Sequence, residues 1–368
     1  MFIPVNEPKL NGNELKYITD CITTGWISSE GPYVKRFEDK FALTVDRKHA
    51  IAVANGSVAL DAAIAALGIT DGDEVIMPTF TIISCATAII RAGAKPVLVD
   101  ADPLTFNMDV SQIEAKITPK TKAIMVVHIY GLPVEMDIVL DLAKKYNLKI
   151  IEDAAEVHGQ TYKGKPCGSF GDISTFSFYP NKHITTGEGG MIVCNDDALA
   201  QKCRSLRNLC FKPERRFVHD ELGWNFRITN LQAAIGLAQL ERFDEAINKK
   251  RLIGEIYNAN LDGINGIQLP LAHTNYAENI YWVYTIVLKN GQTAETLMKA
   301  LKDKGIGSRP FFYGMHNQPV FKKMGLFKNE HYPVADFIAQ HGFYIPSGLG
   351  LDIDQIPYIS ASLKAALT

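Results

Sequence analysis

The sequence predicts an α/β protein: a large three-layer domain with helices on both faces of a mainly parallel sheet, then a smaller α+β domain. Short β-branched runs alternate with helical patterns from about residue 50 to residue 210. Such alternation requires crossover connections between parallel strands. The chain is also 368 residues long, which exceeds the usual size of one hydrophobic core and favours a second domain.

The predicted strands of the large domain are short apolar runs rich in β-branched residues. They are Ile51 to Ala54, Glu74 to Met77, Pro96 to Asp100, Ala123 to His128, Lys149 to Asp153, Ile173 to Phe178 and Met191 to Cys194. A long helical pattern follows, with apolar residues recurring at three and four; it begins near Leu231 and continues past Arg251. We expect this helix to carry the chain out of the large domain.

The C-terminal part of the chain is predicted to mix strands and helices. Tyr281 to Leu288 is typical of a strand, Thr296 to Lys302 of a helix, and the chain from Phe337 onward of mixed structure. We place the large domain at residues 1–245 and the small domain at residues 246–368. No Pro/Gly/Ser-rich linker marks this boundary.

Composition excludes several classes of partner. The formal net charge is −2 and 47% of residues are hydrophobic, so no basic surface is expected for nucleic acid or an anionic membrane. The N-terminal residues lack a charged segment followed by an apolar one, and no apolar run approaches the roughly 18 residues of a membrane span. The six cysteines show no metal-ligand spacing. We expect a cytoplasmic protein with reduced thiols and no metal.

Two residues suggest a chemistry. Asp153 closes an apolar strand, where open α/β sheets place ligand groups, and Lys182 lies in a Thr- and Gly-rich loop after the next strand. A lysine that forms a Schiff base and a carboxylate that holds a pyridinium nitrogen are both required by pyridoxal phosphate enzymes. Taken singly, Asp153 is equally typical of a solvated turn, and a lone lysine is usually a surface residue.

A phosphate site is expected at the turn from strand to helix that contains Gly56 and Ser57. Backbone N–H groups at a helix N-terminus bind phosphate without net charge, although Gly-Ser at this position is more often a simple cap. Ser177 is a candidate second ligand. Glu156 and His158 follow Asp153 closely, and His158 is equally consistent with a packed structural histidine.

Taken together, these segments resemble the DegT family of pyridoxal phosphate-dependent sugar aminotransferases of fold type I. The similar segments span nearly the whole chain: 25–31, 55–60, 72–78, 152–155, 177–190, 225–234 and 308–313. Within the family, the segments around Ser177, Asn225 and Arg309 are most similar to members that act on a GDP-linked 4-keto-6-deoxyhexose.

The resemblance implies a role for each candidate residue. Lys182 would be the Schiff-base lysine, Asp153 the partner of the pyridinium nitrogen, and Glu156 a neighbour of the ring's 3-hydroxyl. The implied phosphate ligands are Gly56, Ser57, Ser177 and, from the neighbouring subunit, Asn225. The functional unit would then be a homodimer with composite active sites. The candidate contacts for the sugar nucleotide are Trp26, Ser28, Arg309 and His316, of which Arg309 is equally consistent with a structural ion pair.

The sequence departs from the family pattern at the cofactor ring. An aromatic residue commonly stacks on that ring, but Ile82 stands at the aligned position, so an aliphatic side chain would cover the ring without the quadrupole attraction. Related 3-dehydratases carry a histidine in place of the lysine, and His183 adjoins Lys182. The residues flanking Lys182 match the aminotransferase register on both sides, which favours transamination.

The expected reaction moves an amino group from L-glutamate to a nucleotide-linked 4-keto-6-deoxyhexose. The sequence leaves the nucleotide open, since a UDP- or dTDP-linked sugar, or a 3-keto sugar, would suit the same fold and cofactor. A sugar dehydratase and a non-catalytic binding protein are the remaining alternatives.

Overall fold

The computed structural model describes residues 2–212 and 214–367. The strands of its first 200 residues are β1 (His49–Val53), β2 (Glu74–Pro78), β3 (Lys95–Val99), β4 (Thr121–Val127), β5 (Lys149–Asp153), β6 (Thr161–Tyr162), β7 (Lys165–Pro166), β8 (Ile173–Ser177) and β9 (Gly190–Cys194). Each of the seven strands predicted for the large domain is present, with ends that differ by at most two residues.

Seven of these described strands form one sheet in the order β1-β9-β8-β5-β4-β2-β3, and β6 pairs separately with β7. The pairs β2–β3, β2–β4, β4–β5 and β5–β8 are parallel. Strand β9 runs antiparallel to both β1 and β8. The predicted mainly parallel sheet is therefore confirmed.

Helices cover both faces of this sheet, because successive residues of β4 from Ala123 to Val127 are all buried although their side chains point to opposite faces. The helices up to residue 261 are α1 (Glu14–Thr24), α2 (Pro32–Thr44), α3 (Gly56–Ala66), α4 (Ile83–Arg91), α5 (Met136–Tyr146), α6 (Asp197–Arg207), α7 (Asn230–Leu240) and α8 (Phe243–Leu261). Met125 of β4 packs in one core with α3 and α4. Ile124 and Val126 of the same strand pack in a second core with α2, α5 and α7.

The helix predicted across residues 231–251 consists of two helices, α7 and α8. Thr229 and Gln232 form a capping box that begins α7. The chain leaves helical geometry at Arg242 (φ −116°, ψ 25°), where the guanidinium donates to the Glu245 carboxylate at 2.9 Å. Neither Pro nor Gly marks this break, and the apolar pattern continues across it. The sequence pattern therefore predicts a single helix.

The C-terminal part forms a second sheet, of order β10-β11-β13-β12, in which every pair is antiparallel. Its strands are β10 (Ile267–Gln268), β11 (Tyr284–Leu288), β12 (Arg309–Pro310) and β13 (Gly342–Ile345). Its helices are α9 (Ala294–Asp303), α10 (Pro319–Lys323), α11 (Pro333–His341) and α12 (Ile356–Leu367). Short 3₁₀ helices span Val110–Gln112, Glu114–Lys116, Met315–Asn317 and Ile353–Gln355.

A third core joins α8, β11, α9 and α12, and it includes Ile3 from the N-terminal segment. Ile3 also bridges to Ile306, so the start of the described chain packs with the C-terminal sheet. The predicted boundary at residue 245 falls in the first turn of α8 and stays a prediction. Within the described ranges, none of the helices combines the length and apolar character needed to traverse a bilayer.

Candidate active site

A cavity of about 710 Å³ lies at the carboxyl ends of β5 and β8, the edge at which open α/β sheets bind ligands. The predicted site residues that line it are Gly56, Ser57, Ile82, Asp153, Glu156, Ser177 and Lys182. The lysine and the carboxylate that define the predicted chemistry therefore share one cavity.

Asp153 is the last residue of β5 and is 4% exposed. Its Oδ1 accepts the Ala155 N–H at 3.0 Å and its Oδ2 accepts the Cys85 thiol at 3.4 Å. Burial raises the pKa of the Asp153 carboxyl, while the Ala155 N–H and the Lys182 charge oppose that rise. A cationic ring nitrogen in this cavity would favour the ionised carboxylate further.

Lys182 follows β8 through a turn in which its N–H donates to Tyr179 O at 2.9 Å. Its side chain is 9% exposed and its Nζ lies 3.8 Å from Glu156 Oε1. The same Nζ lies over the Trp282 ring, 3.8 Å from the centroid. Burial lowers the pKa of the Lys182 amine, and the Glu156 and Asp153 charges oppose this. A lysine of lowered pKa is more often a neutral nucleophile at pH 7.

Glu156 is buried beside this amine. Its Oε2 accepts the Tyr130 N–H at 3.0 Å. Burial raises the pKa of the Glu156 carboxyl to about 7, although the Lys182 charge opposes the rise. A carboxyl that can hold a proton near neutral pH therefore lies beside the Lys182 amine.

The opposite end of the cavity suits a phosphate. The Asn55 side chain caps α3 by accepting the Val58 N–H at 3.0 Å, while the first N–H groups of a helix have no carbonyl partner within it. Ser57 Oγ lies 2.7 Å from Ser84 Oγ. A Cβ added to Gly56 would lie 2.8 Å from Ser177 Cβ, so the absent side chain lets the start of α3 approach β8.

The walls between these two ends are mostly flat or apolar. Ile82 is 43% exposed and contributes an aliphatic face. The buried atoms Thr175 Oγ1 and Asn181 Oδ1 have no hydrogen-bond partner within the described ranges, and both residues line the cavity. A planar ring that carries polar substituents and a phosphate fits this combination of surfaces.

Sequence reasoning missed several lining residues, namely Trp282, Phe312 and Tyr344. They come from the C-terminal part of the chain, which folds back over the edge of the large sheet. Apolar and aromatic side chains in a strand pattern are typical of a core, so the sequence offered no signal that these three face a ligand.

The remaining predicted residues lie outside this cavity. Asn225 is exposed and bridges to Asn208. Trp26 and Ser28 lie on the exposed loop between α1 and α2. Arg309 is exposed on β12, opposite Tyr344 of β13. Their predicted contacts, with a neighbouring subunit or with the sugar nucleotide, stay predictions.

His316 is 3% exposed, and both of its ring nitrogens have partners. Nδ1 lies 2.8 Å from Thr79 Oγ1 and Nε2 lies 2.9 Å from Asp336 Oδ1. This placement gives no support to a direct contact between His316 and the sugar nucleotide.

His158 and His183 are both 1% exposed. The His158 ring lies edge-on to Phe176 and Phe178, and burial lowers its pKa to about 3. His183 does not line the cavity that contains Lys182. Of these two neighbouring residues, only Lys182 therefore lines the predicted cofactor cavity.

The large domain has three layers, and a lysine and a carboxylate share one cavity at the carboxyl edge of its sheet. This arrangement is typical of a pyridoxal phosphate enzyme. The chain belongs to the DegT/DnrJ/EryC1/StrS aminotransferase family, whose model matches residues 8–364. It is 45% identical to GDP-perosamine synthase of Escherichia coli O157:H7, over 99% of this chain and 98% of that one. It is also 45% identical to GDP-perosamine synthase of Caulobacter vibrioides, again over 99% and 98%.

A solved structure, the aminotransferase TlmJ from Streptoalloteichus hindustanus, superposes with a TM-score of 0.93 at 26% identity and covers 100% of this chain and 99% of that one. The protein is therefore a pyridoxal phosphate-dependent sugar aminotransferase. The family, fold class and cofactor expected from the sequence are confirmed. The individual residue roles stay predictions.

Proposed function

We propose that the protein transfers the amino group of L-glutamate to C4 of a GDP-linked 4-keto-6-deoxyhexose, giving the 4-amino-4,6-dideoxy sugar. The observation that carries the reaction type is the shared cavity of Lys182 and Asp153. The choice of GDP rests on the relatives named GDP-perosamine synthase, which match nearly the full length of both chains. The UDP- and dTDP-linked sugars remain the alternatives that the assay must separate.

When bound, pyridoxal phosphate would supply an electron sink and a carrier for the amino group. In this proposal, Asp153 holds the proton on the pyridine nitrogen, and its Ala155 and Cys85 donors fix the direction of the carboxylate. Gly56, Ser57 and Ser177 orient the phosphate. These contacts would hold the cofactor at its pyridine nitrogen and at its phosphate.

Over the two half-reactions, Lys182 would take the α-proton of L-glutamate and deliver a proton to the sugar's C4, which carries no hydrogen in the ketone and one in the amine. Its Nζ lies 3.8 Å from the Glu156 carboxylate, which places an ionisable carboxyl beside the amine. A general acid or base of suitable pKa contributes roughly 10² to 10⁴ in rate. The buried position of both groups excludes bulk water from these proton transfers.

We extend the proposal to a cytoplasmic homodimer with composite active sites. Asn225 lies outside the cavity of its own chain, as a residue that serves a neighbouring subunit would. Trp224 and Leu222 beside it are 39% and 92% exposed, and large exposed apolar side chains are typical of an interface.

The experiment is mass spectrometry of the products after incubation with L-glutamate and a panel of GDP-, UDP- and dTDP-linked 4-keto-6-deoxy sugars. We expect the GDP-linked sugar to gain an amine and 2-oxoglutarate to accumulate with it. The matched control is Lys182→Ala, which should bind cofactor without a covalent link and give no product.

Three results would contradict the proposal. Amination of only the UDP- or dTDP-linked sugar would change the substrate. Ammonia release without an amino sugar would indicate a dehydratase. A fully active Lys182→Ala variant would remove the assigned role of the lysine.

A further inference from the structure

Lys250 is a buried lysine outside the cavity. It lies on α8, is 2% exposed, and its Nζ donates to Trp282 O at 2.7 Å and to Ser347 O. Both of these acceptors are backbone carbonyls. Burial lowers the pKa of the Lys250 amine to about 7, and the neighbouring Lys249 charge adds to this. A lysine so placed is costly to bury, so its contacts call for an explanation.

Trp282 connects Lys250 to the cavity. Its carbonyl accepts from Lys250, its ring N–H donates to Asn181 O at 2.8 Å, and the face of its ring lies 3.8 Å from Lys182 Nζ. The ring also stacks on Tyr130, with centroids 5.9 Å apart. Trp282 is thus held from three directions, and its ring face meets the amine that the proposed reaction uses.

We propose that Trp282 sets the position and basicity of Lys182, and that Lys250 is a positioning residue that fixes Trp282 in this arrangement. The inference rests on the proposed role of Lys182. An aromatic face stabilises a nearby cation, so Trp282 favours the protonated nitrogen. Lys250 contributes by anchoring the backbone from which that ring projects.

Other charged groups around Lys182 bear on the same nitrogen and must be separated from this effect. Glu156 and Asp153 favour the cation, and His158 lies within range of the Lys182 charge. The Lys250 charge itself acts on His183, whose pKa burial lowers well below its usual range and Lys250 lowers further. A direct effect of the Lys250 charge would disfavour a second cation nearby, which is opposite in sign to the effect of anchoring Trp282.

The test is a pH titration of the visible absorbance of the cofactor bound to Lys182, with the intact holoenzyme and no substrate. For Trp282→Leu we expect the midpoint of the absorbance change to fall by about 0.5 to 1 pH unit. Trp282→Phe, which keeps a weaker aromatic face, should fall by less. An unchanged or raised midpoint in Trp282→Leu would overturn the inference.

Lys250→Met tests the second link. Because it releases Trp282, it should lower the midpoint in the wild-type background and produce no further fall in a Trp282→Leu background. The matched control is Lys249→Met, since Lys249 is the adjacent lysine and donates to Leu349 O at 2.7 Å, not to Trp282 O. Because the Lys249 charge lowers the pKa of Lys250, its removal keeps Lys250 protonated, and the midpoint should not fall below that of the wild type. A raised midpoint in Lys250→Met, or equal shifts in both backgrounds, would refute the positioning role.

The outcome also separates this inference from the proposed function. If Lys182→Ala keeps the wild-type absorbance titration, the proposed role of Lys182 fails and this inference fails with it. If the titration depends on Lys182 but is unmoved in Trp282→Leu, only this inference fails. Should Lys250→Met not fold, the two Trp282 variants still decide whether the ring acts on the amine.

Discussion

Replacing Glu156 with Gln should change how the stability of the cofactor-free protein depends on pH. Burial raises the pKa of the folded Glu156 carboxyl from 4.5 to about 7. Between these two values the folded state binds more protons than the unfolded state, so the free energy of unfolding falls as pH rises. The wild-type protein therefore loses stability across this window, whereas a Gln at this position cannot ionise.

The shift sets the size of the effect. One pKa unit corresponds to about 1.36 kcal/mol, so a rise from 4.5 to about 7 gives an upper value of roughly 3 kcal/mol. Lys182 adds to the same trend, because without the Glu156 charge its pKa is lowered further. A buried amine of lowered pKa destabilises the folded state at low pH, where it is protonated. This destabilisation decreases as pH rises and the amine loses its proton. The free energy of unfolding of Glu156→Gln should therefore rise relative to that of the wild type as pH increases.

The assay is urea denaturation of the cofactor-free wild type and Glu156→Gln at intervals from pH 4.5 to 8. The control is Glu255→Gln, the same substitution at an exposed position on α8, for which the difference from the wild type should be constant. The prediction is wrong if the difference in free energy of unfolding between Glu156→Gln and the wild type does not change with pH, or if the wild type becomes the more stable as pH rises. Either result would show that the buried carboxyl is not protonated near neutral pH.

Three further substitutions test the site and its support. Gly56→Ala should weaken cofactor binding by about ten- to a hundredfold in an absorbance titration, because the new Cβ would lie 2.8 Å from Ser177 Cβ; unchanged affinity would argue against a close approach there. Ile82→Phe should tighten cofactor binding by about two- to tenfold if this side chain covers the ring, and equal affinity would place Ile82 elsewhere. Glu152→Gln should cost about 3 kcal/mol in urea denaturation at pH 7. Burial raises the pKa of the Glu152 carboxyl, but the hydrogen bond and charge of His128 and the backbone N–H groups of Gly168 and Gly171 lower it to about 2. A Glu152→Gln variant as stable as the wild type would contradict the expected loss.

The sequence predicted those parts of the site that lie near strand ends. Asp153 and Ser177 end apolar runs whose periodicity is plain, and parallel strands bring such ends to one edge. Trp282 was not predicted as a site residue, because its contact with Lys182 joins segments far apart in the chain and depends on how the C-terminal sheet packs. Sequence periodicity reports which face of an element is buried, but not which distant element covers it.

His316 illustrates the same limit from the other side. Its family resemblance suggested a substrate contact, yet the side chain is occupied by Thr79 and Asp336. Both partners are distant from His316 in sequence. A sequence pattern therefore does not distinguish a histidine with two hydrogen-bond partners from one that is free to bind a ligand. Only the packing of α11 against the loop after β2 shows which partners the His316 ring has, and the predicted contact with the sugar nucleotide stays a prediction.

The position of Lys182 depends on the direction of β9. Ser177, the last residue of β8, is paired with Gly190, the first residue of β9, so the loop between them leaves and returns at the same edge of the sheet. Asp153 ends the neighbouring strand β5, opposite Thr175 of β8. Adjacent strands lie about 4.8 Å apart, so a lysine in this loop is within side-chain reach of the Asp153 carboxylate.

A parallel β9 would not place the lysine there, because a crossover must cross the sheet to its opposite edge and usually does so as a helix. Residues 178–189 are instead rich in Gly and Thr and carry no helical pattern. The reversal of one strand in an otherwise largely parallel sheet is therefore what brings the amine and the carboxylate into a single cavity.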